Sequence, residues 1–149
     1  MNRQLIQSFN TGEVSLEQFP VPAIGPRTVL ISSTKSLVSL GTEKMLLEFG
    51  KSTLIGKALK QPERVQQVLD KIRTDGLGST INAVRNKLQE RVPIGYSNVG
   101  VVLATGDKVK SLSVGDRVVS NGSHADVVAV EENLCAKIPE SVTDEAAAF

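Results

Sequence analysis

The chain has 149 residues, of which 40% are hydrophobic and 22% charged, and its formal net charge is +1. This composition is typical of one globular domain, because disordered chains have few apolar residues and a high net charge. No apolar run approaches the roughly 18 residues of a membrane-spanning helix, and the N-terminus lacks the apolar stretch of a signal peptide. With 3% aromatic residues, the chain also lacks stacking platforms for bases, so we predict a cytoplasmic protein that binds neither membrane nor nucleic acid.

The first and last thirds of the chain predict short strands. Runs rich in valine, isoleucine and leucine alternate with turn signals such as Gly25-Pro26 and Val114-Gly115-Asp116. Short strands at this close spacing are typical of an antiparallel barrel, so these parts are predicted to be mainly β. The runs cover residues 28–31, 99–104, 117–119 and 127–130.

The middle of the chain, residues 44–92, changes to helical periodicity. A helix is predicted to start near Pro62, because proline suits the first turn, and apolar residues then recur at the i, i+3, i+4, i+7 spacing of one helix face. These residues are Val65, Val68, Leu69 and Ile72. Similar but weaker patterns predict helices around residues 54–59 and 78–88.

The same segment concentrates the positive charge. Ten basic and five acidic residues give residues 44–92 a net charge of +5, whereas the remainder of the chain carries −4. The cations could attract an anionic substrate or cofactor phosphates. We favour a solvated helix face, because charged exposed helices are common.

The last residues predict the start of a helix. Ser141 and Thr143 are capping residues, and Asp144 and Glu145 would fall in the first turn. A helix of about one turn is marginal without further packing. We therefore interpret the chain as part of a longer protein.

Three short elements resemble the medium-chain dehydrogenase/reductase superfamily. Leu40-Gly41-Thr42-Glu43 resembles the Cys-Gly-Ser/Thr-Asp element of zinc alcohol dehydrogenases, and residues 95–102 resemble the segment in which those enzymes have glycine followed by histidine and glutamate. Residues 114–149 follow the order and spacing of the superfamily. The resemblance implies an α+β fold, a GroES-like antiparallel β-barrel with a helical insertion at about 44–92. It also implies a nucleotide-binding domain after Phe149.

At the metal positions of this frame stand Leu40, Tyr96 and Ser97, which are not zinc ligands. One histidine and one cysteine are also too few for a tetrahedral nitrogen and sulfur site. The resemblance therefore implies a zinc-free reductase that transfers hydride between NAD or NADP and a small-molecule substrate. No G-x-G-x-x-G motif occurs, so the chain holds at best half of a cofactor cleft.

The resemblance assigns roles to four residues. Tyr96 could donate a hydrogen bond to a substrate oxygen or protonate it, although a packed ring with a satisfied hydroxyl is the favoured alternative. Thr42 stands where zinc dehydrogenases start a proton relay, and Glu43 could support it, but a helix cap and a dipole partner are the commoner duties of such residues. Ser97 is a candidate for substrate binding.

Two further residues are predicted to be structural. His124 and Asp126 share one strand face without necessarily touching, and a lone histidine at a strand start is predicted to be a surface or turn residue. Cys135 lies in an apolar strand setting, where cysteine behaves as a small hydrophobe. We therefore do not predict a nucleophile at Cys135.

Residues 36–43, 61–87 and 93–97 together resemble two-part bacterial oxidoreductases of polysaccharide biosynthesis. This implies a sugar or nucleotide-sugar substrate. A second hypothesis is a non-enzymatic GroES-like binding or assembly module, because the GroES-like barrel also serves in the co-chaperonin. The sequence leaves open the substrate, the choice of NAD or NADP, and the oligomeric state, a homo-oligomer included.

Overall fold

The computed structural model describes residues 1–8, 11–39, 41, 43, 62–76, 78–79, 82 and 91–149. The described residues include eight strands, two helices with defined bounds, and a 3₁₀ turn at Glu132–Leu134. The strands are β1 (Asn2–Ser8), β2 (Val14–Phe19), β3 (Thr28–Ser36), β4 (Arg91–Pro93), β5 (Asn98–Thr105), β6 (Arg117–Ser120), β7 (Val127–Glu131) and β8 (Cys135–Lys137). The helices are α1 (Pro62–Asp75) and α2 (Asp144–Ala148).

The described strands form two sheets. One has five strands in the order β7-β3-β5-β6-β8, all antiparallel, and the other has three in the order β2-β1-β4. An isolated bridge between Gln4 and Ala125 lies outside these ladders. The prediction of a mainly β, antiparallel fold is confirmed. Among the described strands, however, β7 and β8 remain the two edges of an open sheet, so the pairing does not close into one barrel.

The core is built on alternate residues of β3. Val29 pairs with Val130 of β7, and Ile31 lies between Val128 of β7 and Val102 of β5. Because side chains alternate across a strand, these residues point to one face and exclude water together. The main core cluster consists of Val29, Ile31, Val102, Leu112, Val118, Val128 and Val130.

Strands β3 and β5 approach each other closely, and their register is irregular. A β-carbon added at Gly100 would lie 2.1 Å from the carbonyl oxygen of Ser32, so only glycine fits there. The register shifts between Leu30 and Ile31 and again between Ser33 and Lys35. Such bulges redirect side chains, and the second lies just before Ser36, where β3 ends.

The predicted helix at Pro62 is present as α1, which starts at that proline. Gly76 follows α1 with φ 84°, a left-handed conformation that commonly terminates helices. The apolar face of α1 is only partly covered, since Leu69 is 47% exposed. The helix predicted at 54–59 and most of the one at 78–88 lie outside the described residues. No described helix is long and apolar enough to cross a membrane.

The chain divides into two compact units. The first contains Met1–Ile6, Ser15–Glu43 and Pro93–Phe149, and it holds the five-stranded sheet and α2. The second contains Gln7–Val14 and Lys44–Val92, and it holds α1. The candidate site described below lies entirely in the first unit.

Helix α2 begins as predicted and is tied to the sheet. The Thr143 hydroxyl oxygen accepts a hydrogen bond from the backbone N–H of Ala146 at 3.2 Å. Asp144 accepts from the Arg117 guanidinium at 2.6 and 3.1 Å and from the Thr34 hydroxyl at 2.8 Å. Ala148 packs with Val99 and Ile138 in a second apolar cluster. Polar and apolar contacts therefore both hold α2 against strands β3, β5 and β6.

We predict that Asp144→Asn lowers the free energy of unfolding by about 1 kcal/mol at neutral pH, the scale of a partly exposed ion pair. The hydrogen bonds from Arg117 and then from Thr34 lower the pKa of Asp144 below its usual 3.8. A carboxylate with a lowered folded-state pKa stabilises the protein above the unfolded pKa, and this stabilisation disappears as the pH falls through the folded value. The difference between wild type and Asp144→Asn should therefore shrink as the pH falls below 3.8.

Urea unfolding of both proteins at several pH values measures this difference. Asp107→Asn is the matched control, because the Asp107 carboxylate has no ion pair within the described part of the chain. An Asp144→Asn deficit that stays constant down to strongly acidic pH would contradict the ion-pair explanation.

Candidate functional site

The loop between β4 and β5 carries Gly95, Tyr96 and Ser97. Gly95 has φ 99°, a conformation that favours glycine. A β-carbon at Gly95 would lie 2.7 Å from the backbone nitrogen of His124 and 2.8 Å from its ring. The backbone N–H of His124 also donates to the carbonyl of Ile94 at 2.8 Å. The loop is thus packed directly on His124.

His124 is only 6% exposed, and both of its ring nitrogens have partners. Nδ1 lies 2.8 Å from the hydroxyl oxygen of Ser36, at the end of β3. Nε2 lies 3.2 and 3.3 Å from the two carboxylate oxygens of Glu43. Buried polar groups are costly unless they are paired, and here the ring is satisfied on both sides. The prediction of a surface position for His124 is wrong, although the residue does lie in a bend ahead of β7.

Glu43 is likewise 6% exposed and is fixed by the segment that precedes it. Its Oε1 accepts from the backbone N–H of Ser39 at 3.0 Å, and its own backbone N–H donates to the carbonyl of Ser39 at 3.0 Å. The carboxylate therefore holds both His124 and the backbone at Ser39. Glu43, predicted as a substrate-binding residue, has its carboxylate directed at His124.

A cleft of about 340 Å³ opens beside this network. Ser36 and His124 contribute to its lining. The complete lining is Arg3, Leu5, Leu16, Ser33, Thr34, Lys35, Ser36, His124, Ala125 and Asp126. Seven of these ten residues are polar or charged and three are apolar, so the cleft is more polar than most small-molecule sites and suits a polar ligand.

The charged residues of the cleft are paired with one another or with α2. Arg3 donates to Asp126 through its side chain at 2.8 and 3.1 Å, and Lys35 forms an ion pair with Glu145 at 2.7 Å. The hydrogen bonds from Arg3 lower the pKa of Asp126. Asp126 therefore stays ionised and engages Arg3, so it is not the partner of His124.

A larger cleft of about 800 Å³ lies near the opposite end of β3. Its lining consists of Arg27, Asp107, Lys108, Lys110, Glu131, Glu132, Asn133 and Leu134. These residues include no histidine or cysteine, and Glu132 is engaged by Ser111 and by the backbone of Lys110. The smaller cleft is therefore the better candidate site, because a buried histidine and carboxylate adjoin it.

The other predicted site residues are placed as follows. Tyr96 is 46% exposed, so its ring is not buried in the core. The Ser97 hydroxyl donates to the carbonyl of Ala148 at 2.7 Å, and the Ser97 carbonyl accepts from the backbone N–H of Leu37 at 3.1 Å. Ser97 therefore anchors α2 in this structure. Thr42, like Leu40, lies outside the described residues.

Cys135 is partly buried beside the main core cluster. Burial first, and then the negative charge of Glu132, raise the pKa of its thiol to about 11. The thiolate is therefore scarce at neutral pH, in agreement with the prediction that Cys135 is not a nucleophile.

Comparison with solved structures identifies proteins that share this fold. The quinone oxidoreductase of Pseudomonas syringae pv. tomato DC3000 matches 99% of the chain with a TM-score of 0.63 and 19% identity. The Escherichia coli quinone oxidoreductase complexed with NADPH matches 99% with a TM-score of 0.62 and 13% identity. The 2R,3R-butanediol dehydrogenase of Bacillus subtilis matches 99% with a TM-score of 0.65 and 16% identity.

The chain spans 37%, 36% and 43% of these three oxidoreductases, respectively. At such identities the matches show the fold alone, and no family model matches the sequence. Among curated proteins, the highly reducing polyketide synthase pspA of Penicillium soppii is 44% identical over 54 residues. That segment is 35% of this chain and 2% of the synthase.

We predict that Glu43→Leu lowers the free energy of unfolding by about 1–3 kcal/mol, because it leaves the Nε2–H of His124 and the N–H of Ser39 without their acceptor. Glu43→Gln is the matched control. Its amide oxygen can accept both hydrogen bonds from the position of Oε1, so its cost should be clearly smaller. Chemical denaturation of the three proteins measures the difference, and equal stabilities for Glu43→Leu and wild type would contradict the buried contact.

Proposed function

We propose that the chain is the substrate-side domain of an NAD(P)-dependent oxidoreductase of the medium-chain dehydrogenase/reductase type. One observation carries the proposal. The match to three such oxidoreductases extends over 99% of this chain and over only 36–43% of each of them. In this proposal, the cofactor is bound by a nucleotide-binding domain that follows Phe149.

The sequence indicates which part of the cofactor site this chain lacks. A dinucleotide's pyrophosphate is usually held at a glycine-rich turn before a helix, and G-x-G-x-x-G is not found in these 149 residues. The residues described here therefore do not fit a complete dinucleotide site. The nicotinamide cofactor, held by the proposed second domain, would supply the hydride. This chain would bind and orient the substrate.

Zinc independence is part of the proposal. By resemblance, Leu40, Tyr96 and Ser97 occupy the positions of metal ligands in zinc alcohol dehydrogenases. The Ser97 hydroxyl is already engaged by the Ala148 carbonyl, which supports a structural duty for it. Without zinc, a substrate oxygen would be held by hydrogen-bond donors of the protein. Tyr96 and Thr42 are the proposed catalytic groups.

The substrate is proposed to be a sugar or nucleotide-sugar in polysaccharide biosynthesis, in the cytoplasm. The support is the joint resemblance of residues 36–43, 61–87 and 93–97 to two-part bacterial oxidoreductases. The net charge of +5 over residues 44–92 would favour a phosphorylated ligand. Because several matched structures are quinone oxidoreductases, quinones belong in any substrate test.

We predict that Tyr96→Phe in the whole protein lowers turnover about a hundredfold, the usual cost of removing a positioned hydrogen-bond donor to the reacting oxygen. Its melting temperature should hardly change, because the side chain is 46% exposed and no described residue bonds its hydroxyl. The measurement is NADPH or NADH absorbance with a panel of nucleotide sugars and menadione.

Tyr96→Phe with wild-type turnover would remove Tyr96 from the proposed mechanism. Wild-type protein that turns over none of the panel with either dinucleotide would instead argue against the oxidoreductase proposal. That result would favour the alternative of a non-enzymatic GroES-like binding or assembly module.

A further inference from the structure

The contacts of His124 determine which ring nitrogen carries hydrogen. Nε2 lies 3.2 and 3.3 Å from the two oxygens of Glu43. Both carboxylate oxygens lie within hydrogen-bond distance of Nε2, and carboxylate oxygens are acceptors, so the geometry favours a hydrogen on Nε2. Nδ1, 2.8 Å from the Ser36 oxygen, is then free to accept from that hydroxyl when the ring is neutral. When the ring is charged, Nδ1–H donates to the same oxygen.

The chain of contacts runs from the protein interior to the cleft. Glu43 and His124 are buried, whereas Ser36 is exposed and lines the cleft of about 340 Å³. The Ser36 hydroxyl is therefore the outer end of the network. Any proton that His124 exchanges at Nδ1 with a ligand in the cleft can pass through this oxygen.

We propose that Ser36, His124 and Glu43 form a proton relay that delivers a proton to, or accepts one from, the oxygen of a substrate bound in the cleft. This inference rests on the proposed oxidoreductase function. It assigns proton transfer to a serine and a histidine that the sequence motifs do not mark. Ser36 is the catalytic residue of the relay, since its hydroxyl would exchange the proton with the substrate oxygen, and His124 and Glu43 act through it.

The relay balances in both directions of the reaction. In reduction, with hydride supplied to the carbonyl carbon by the cofactor, the Ser36 hydroxyl would protonate the carbonyl oxygen and take the Nδ1 proton of charged His124. The ring would end neutral, with Nε2–H still directed at Glu43. In oxidation, with the cofactor as hydride acceptor, Ser36 would take the alcohol proton as it passes its own proton to neutral His124.

The charged residues that line the cleft are paired with groups other than the His124 ring. On the other elements that line the cleft, Arg3 is paired with Asp126, and Lys35 is paired with Glu145. Because each of these charges has its own counter-ion, they largely cancel at the cleft. Among the described residues, the carboxylate in contact with the His124 ring is therefore that of Glu43, 3.2 Å from Nε2.

The first experiment tests the hydrogen positions directly. His124 is the only histidine of these 149 residues, and its ring nitrogens can be assigned in long-range proton–nitrogen NMR spectra of the whole protein as the signals that His124→Gln removes. We expect the neutral ring to carry hydrogen on Nε2, and Ser36→Ala to shift the Nδ1 signal more than the Nε2 signal. Hydrogen on Nδ1 of the neutral ring would overturn the relay.

The second experiment tests proton delivery in the whole protein, supplied with NADPH or NADH and the substrate found in the panel above. Ser36→Ala should lower kcat about a hundredfold, the common contribution of a general acid or base, with KM little changed. Ser36→Thr keeps the hydroxyl at an exposed strand position and should restore most of the activity. Ser32→Ala is the control, because Ser32 lies on the same strand but does not line the cleft.

Heavy water separates the relay from a merely structural role. Wild-type turnover should slow in heavy water, and Ser36→Ala should lose this dependence. Wild-type activity in Ser36→Ala overturns the relay but leaves the oxidoreductase proposal intact. An inactive wild-type protein with both dinucleotides overturns the oxidoreductase proposal, and the relay with it.

Discussion

The buried contact between His124 and Glu43 is the constraint on which the candidate site depends. Through it, four separate parts of the chain meet: the end of β3 at Ser36, the segment from Ser39 to Glu43, the loop at Gly95, and His124 itself, ahead of β7. A buried polar group must be satisfied or it destabilises the fold. The pair therefore fixes the positions of all four segments at once.

The sheet end that forms the cleft also anchors α2. Thr34 and Lys35, which line the cleft, bind Asp144 and Glu145, and the Ser97 hydroxyl binds the carbonyl of Ala148. The elements that surround the cleft thus also hold the last described helix. In the proposed function, this arrangement would couple the substrate side of the site to the nucleotide-binding domain that follows α2.

Much of the fold could be predicted from the sequence, because it depends on local signals. The strand runs at 28–31, 99–104, 117–119 and 127–130 all lie within observed strands, and α1 begins at Pro62. Alternating β-branched residues and turn glycines are readable over a few positions. The open edges of the five-stranded sheet were not readable, because closure depends on which distant strands pair.

The site could be predicted only in part. Glu43 was singled out by its motif, but its partner His124 is 81 residues away, and Ser36 is 88 residues from that histidine. Nothing local marks such contacts in a single sequence. Gly95 is the one sequence feature that reflects this contact. A larger residue at position 95 would collide with the His124 ring.

The central claim is that the cleft at Ser36 receives the substrate of an oxidoreductase. A crystal structure of the whole protein with bound NADPH or NADH tests it most directly. We expect the nicotinamide to face this cleft, so that a carbonyl placed between them lies about 3 Å from both the nicotinamide carbon and the Ser36 oxygen. A nicotinamide that faces the larger cleft at Lys108 and Lys110, out of reach of Ser36, would contradict the account.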